Sequence, residues 1–95
     1  MTKEDFILDI LQKLENNFGC ISFSYKHFVD NKVAWYWIAI DDYEVYKTNR
    51  NFSVLTNAWH KISKQRDMKL VFCCQSVQDK FIEELYNNNN LIMNV

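Results

Sequence analysis

Val33-Ala34-Trp35-Tyr36-Trp37-Ile38-Ala39-Ile40 is followed at once by Asp41-Asp42-Tyr43-Glu44-Val45-Tyr46. Successive side chains of a strand point to opposite faces. Trp35 and Trp37 therefore share one face, and Tyr36, Ile38 and Ile40 share the other. Neither face is polar, so both need a cover. Either the strand is central in a sheet packed on both sides, or one face meets a partner.

Upstream, residues 20–28 alternate, with Ile21, Phe23 and Tyr25 on one face and Ser22, Ser24 and Lys26 on the other. That is the pattern of a half-buried strand. Val29-Asp30-Asn31-Lys32 is short enough to join the two strands as a hairpin. Further upstream, residues 3–17 read as a helix. Thr2 is its N-cap, Asp5 stands in the capping-box position, and Ile7, Ile10, Leu11, Leu14 and Phe18 form one apolar stripe. Gly19, the only glycine, suits a left-handed C-cap.

Downstream, Asp41 and Asp42 interrupt the apolar run, and residues 43–46 read as a short third strand or the start of a loop. A helix is expected from near Phe52 or Ser53 to Arg66-Asp67, burying Phe52, Leu55, Trp59 and Ile62. Residues 68–74 are apolar apart from Lys69, as in a strand buried on both faces. Ser76 is expected to cap a helix over 76–86, with Asp79 in the box position and Val77, Phe81, Ile82 and Leu85 inward. Asn87-Asn88-Asn89-Asn90 reads as a turn, because Asn tolerates left-handed backbone, and residues 91–95 as a last short strand.

The order α-β-β-(β)-α-β-α-β predicts a single compact α+β domain over residues 1–95. The expected sheet is mixed: an antiparallel hairpin, plus a parallel βαβ unit formed by residues 68–95, with about three helices packed on it. The stripe and inner positions place Ile10, Leu14, Phe23, Ile38, Leu55, Trp59, Leu70, Phe72, Phe81 and Leu85 together in its core.

Composition narrows the function classes. With one glycine, the chain holds neither a P-loop nor a dinucleotide-binding fingerprint, and no cofactor is expected. No apolar run reaches the length of a membrane span, and the acidic start Met1-Thr2-Lys3-Glu4-Asp5 is unlike a secretory signal. Cys20, Cys73 and Cys74 make an odd count, which argues against a disulfide framework. Cys73 and Cys74 are expected to be buried and reduced, in a cytoplasmic protein. Nine lysines against two arginines, with eleven asparagines, read as the codon bias of an AT-rich genome.

Catalytic and metal sets are not legible. His27 and His60 are the only histidines, and their spacing to the cysteines matches no zinc pattern. Asp41, Asp42, Glu44 and Lys47 follow the aromatic strand, and acids with a lysine there can hold Mg²⁺ and activate water. The element order is loosely similar to the core of restriction-endonuclease-type nucleases. That resemblance implies a metal-dependent nuclease, but the family's acid-x-Lys triplet is here Glu44-x-x-Lys47.

Charge is uneven. Residues 1–46 hold four lysines against eight acids, while residues 47–69 hold six basic residues against Asp67 alone. Lys47, Arg50, Lys61, Lys64, Arg66 and Lys69 form a candidate basic patch for nucleic-acid phosphates. Trp35, Trp37, Asp41, Asp42, Tyr43, Glu44 and Tyr46 form a candidate protein-interaction surface of amphipathic rings rimmed by acids. The leading expectation is a non-enzymatic protein-binding module, self-associating as a homodimer or acting as an inhibitor or immunity-type accessory protein of phage or bacterial conflict systems. Nucleic-acid binding comes second, and a metal-dependent nuclease third.

Overall fold

The computed structural model describes residues 2–19, 23–88 and 92–94, with Phe23, Asn88 and 92–94 described by backbone alone. The elements are α1 (Lys3–Phe18), β1 (Phe23–Asp30), β2 (Val33–Ile40), α2 (Tyr43–Tyr46), α3 (Arg50–Gln65), β3 (Met68–Cys73), α4 (Gln75–Asn88) and β4 (Ile92–Asn94). They build one four-stranded mixed sheet in the order β3-β2-β1-β4, an α+β architecture.

The hairpin forms, but Val29 and Asp30 extend β1 and pair with Ala34 and Val33, so the turn is Asn31-Lys32 and not the four residues 29–32; residues 20–22 of the expected strand lie outside the described residues. Asn31 and Lys32 both take positive φ, 50° and 67°, the conformation of a type I′ turn that matches strand twist. The directly paired parallel strands are β2 and β3, joined through α2 and α3. The unit expected from residues 68–95 is wider: α4 carries the chain from one edge of the sheet to the other, and β4 lies antiparallel beside β1.

Both faces of β2 are covered. On the first face, α1 and α3 pack Phe6, Ile7, Ile10, Leu11, Leu14, Phe52 and Trp59 over Tyr36, Ile38, Ile40 and Leu70. On the second, α4 lays Phe81 on Trp37 and Phe28, with ring centroids 4.0 and 5.2 Å apart. The expected single core is thus two layers. Ile10, Leu14, Ile38, Trp59 and Leu70 are buried in the first, with Leu55 and Phe72 at its margin. Phe81 packs against Trp37 in the second, while Leu85 is half-buried and the Phe23 side chain lies outside the described residues.

The caps explain the helix boundaries. Thr2 and Asp5 form the predicted capping box, and Gly19 ends α1 at φ 76° and ψ −145°, a positive-φ conformation other than the expected left-handed cap. α3 starts earlier than its stripe suggests, because the Asn49 side chain accepts the Phe52 N–H at 3.2 Å. α4 starts at Gln75, so Ser76 lies inside the helix and does not cap it. Val77 is 47% exposed, and Gln78 is buried in its place. The Gln78 amide donates to the Trp37 carbonyl at 2.9 Å, and its oxygen lies 3.1 Å from both the Ser24 hydroxyl and the Gln75 amide nitrogen. A buried glutamine with partners on both sides of its amide fixes α4 on the sheet.

Candidate functional site

Residues 43–46 are neither strand nor loop but a one-turn helix, α2. Asp42 enters it at φ 57°, in the left-handed region that Asp tolerates. The turn swings two rings inward: Tyr46 meets Phe18 and Phe52 at 5.5 and 6.0 Å, and Tyr43 meets Phe52 at 6.1 Å. What α2 shows to solvent is Val45, 68% exposed, and Glu44, which pairs with Lys47. Asp41 and Asp42 lie exposed in the preceding turn. Trp37 is stacked under α4, while Trp35 lies half-buried against Phe28 with the Lys69 ammonium 6.0 Å above its ring. The candidate interaction surface therefore divides into rings that pack inside, the exposed acids with Val45, and Trp35 on the other side of the sheet.

The basic residues divide too. Lys47 and Arg50 stand before and at the start of α3, and Lys61, Lys64 and Arg66 near its end. A 16-residue helix is about 24 Å long, so the two groups are separate. The Arg66 guanidinium lies 5.4 Å from the centre of the Phe6 ring. Lys64 and Lys69 line an open cleft of about 540 Å³ with Lys32, a residue outside the 47–69 segment.

A second cleft, of about 220 Å³, runs beside β3. Its helical wall is Tyr43, Phe52, Thr56 and His60, and its strand wall is Leu70, Val71 and Phe72. Val71 points to the opposite face from its two neighbours, so the cleft meets β3 at its edge. Among the described residues β3 pairs only with β2, which leaves its outer edge open. His60 sits edge-on to Phe72 at 5.6 Å, and burial, then Lys64, holds its pKa below the ordinary value.

Two polar clusters lie elsewhere. Glu4 accepts from the Tyr36 hydroxyl at 3.1 Å and from the Tyr25 hydroxyl at 3.4 Å, and His27 Nδ1 is 3.7 Å away. His27 stacks on Tyr36 at 4.4 Å, and its Nε2 is buried without a hydrogen-bond partner among the described residues. At the other end of the sheet, β3 stops at Cys73, so the two cysteines differ. Cys73 is buried, its thiol pushed up to about 11 by burial and by Cys74. Cys74 is half-buried, not buried as its apolar neighbours suggest. Its sulfur lies 3.2 Å from the Ser76 hydroxyl, which with the Val77 N–H holds its pKa below the ordinary thiol value.

Among the described residues, no three His, Cys, Asp or Glu side chains are placed to hold a metal ion together. No helix among them is long and apolar enough to cross a membrane. No protein-family model matches the chain, and neither a curated protein nor a solved structure shows significant similarity to it.

Proposed function

We propose that the protein is a non-enzymatic module that binds another protein chain by strand addition at β3. The open edge of β3, flanked by the cleft under Tyr43 and His60, carries this reading. An edge strand offers a row of unpaired N–H and C=O groups to an extended segment. Main-chain hydrogen bonds supply affinity in such complexes, and pockets for alternate side chains supply selectivity. Residues 70–73 are Leu-Val-Phe-Cys, and Lys69 near the start of β3 is its one charge. The segment this edge fits is extended and carries an apolar side chain at every second position. It belongs to a partner protein or to a second copy of this chain.

Selection from a library of random peptides tests the proposal, with amide hydrogen exchange as the readout. The expected result is a set of peptides that slow exchange in residues 68–73, and whose binding is lost in Val71→Lys but kept in Leu8→Lys on the outer face of α1. Light scattering across a concentration range reads self-association, and a dimer split by Val71→Lys supports the same edge. Binding or dimerisation that Val71→Lys leaves intact overturns it.

A further inference from the structure

Three lysines from different elements meet at the end of the sheet where the hairpin turns and β3 begins. Lys32 comes from the turn, Lys64 from the last turn of α3 and Lys69 from β3, and Asp67 is the one acid in the wall of the 540 Å³ cleft they line. The cleft walls carry a surplus of positive charge in a chain whose net charge is −1. Concave sites lined by one sign of charge concentrate counter-ions, and ammonium groups bind phosphate as point charges.

Trp35 stands outside the cleft wall but next to two of its residues, two positions along β2 from Val33 and opposite Lys69. It pairs with Lys69 across the β2–β3 ladder, on the face of the sheet that α4 covers further along at Trp37. Trp35 is half-buried, stacked on Phe28 and with the Lys69 ammonium over its ring, so a base stacks there as the lysine swings out to a phosphate. A partly open indole next to ammonium groups is a platform for a nucleobase whose phosphates are neutralised nearby. A peptide of Asp and Glu alone would use the lysines but has no flat ring for the indole.

We propose that this cleft binds single-stranded nucleic acid, with phosphates on Lys32, Lys64 and Lys69 and a base stacked on Trp35. The β3 edge groove is a different surface, and neither reading depends on the other.

Fluorescence anisotropy with labelled oligothymidylate and oligouridylate of about 12 nucleotides tests it. Binding is expected at low salt, with log affinity falling against log salt at a slope of about −2 for three neutralised phosphates. Changing Lys32, Lys64 and Lys69 together to Gln should weaken binding about tenfold or more and flatten that slope. Trp35→Leu should weaken it about tenfold, with Trp35→Phe restoring much of the loss. Lys47→Gln with Arg50→Gln, at the far end of α3, should leave it unchanged. Lys32→Gln alone, in an exposed turn, keeps the test open should the triple variant not fold. The proposal is overturned by absence of binding at low salt or by equal loss in the Lys47/Arg50 variant. Competition by polyglutamate or inorganic phosphate as effective as unlabelled oligonucleotide overturns it as well.

Discussion

The indole of Trp37 and the ring of Phe81 lie face to face, 4.0 Å between centroids and 10° between planes. This contact joins the central strand to the helix that crosses the whole sheet. Phe81→Ala should destabilise the protein by about 2–4 kcal/mol, towards the low end of what a buried ring costs because Phe81 is partly exposed. Trp37→Phe should cost far less, since it keeps a ring and removes an indole N–H that is buried without a partner among the described residues. Urea denaturation followed by circular dichroism checks both. A Phe81→Ala protein as stable as the parent would show that α4 is held by other contacts.

The Tyr36 hydroxyl links the sheet to the first turn of α1 through Glu4. Burial first, then the Glu4 hydrogen bond and charge, raises its pKa well above the ordinary 10.0. Folded protein therefore keeps this proton at a pH where unfolded chain has lost it. Stability from this group is complete below pH 10 and declines as pH rises beyond it. Tyr36→Phe should lower stability by about 1 kcal/mol at neutral pH and make its alkaline loss shallower. Parallel denaturation series from pH 8 to 11 read the difference between the two proteins. Identical pH slopes would remove Tyr36 from the account.

Cys74 should alkylate faster than Cys73 in the folded protein. The Ser76 hydroxyl and Val77 N–H favour its thiolate, whereas burial disfavours that of Cys73. Timed iodoacetamide labelling with peptide mapping separates the two sites. Cys74 should label in native buffer, with a rate that rises with pH to a midpoint below the ordinary thiol value of 9.0. Cys73 should label only on unfolding. Equal rates at both positions would contradict the placement of the strand end.

Lys32 stands at φ 67°, where a side chain is strained and a type I′ turn favours glycine. Lys32→Gly should raise the melting temperature by several degrees, an effect of about 1 kcal/mol, while weakening oligonucleotide binding. Stability and affinity moving in opposite directions would mark the lysine as kept for its charge. A variant that gains stability and binds as before would remove Lys32 from the anion site.

Much of the fold was legible because it is locally encoded. Thr2, Asp5 and Gly19 punctuate α1, and the alternation of residues 20–28 ahead of the apolar run 33–40 specifies the hairpin. The remainder depended on partners distant in sequence. Gln78 looks like a solvent residue until Ser24 and the Trp37 carbonyl are brought to it. Tyr43 and Tyr46 favour no one-turn helix on their own; Phe18 and Phe52 supply the apolar surface that draws them in. Of the candidate surfaces, Trp35, Lys64 and Lys69 were visible as residue types, but their grouping was not. Sequence proximity joined Lys64 to Lys47, which the length of α3 separates. It hid Lys32, which the hairpin turn brings to the cleft.

The strand order has a consequence for synthesis. The two inner strands are translated early and the two outer ones late. The helix that precedes the hairpin is available at once to shield one side of it, but Phe81 leaves the ribosome more than forty residues after Trp37. At cellular elongation rates that interval is on the order of 2–9 seconds. Throughout it the nascent chain displays Phe28, Trp35 and Trp37 uncovered. A ribosome stalled inside this window holds a chain whose aromatic face is still open to water.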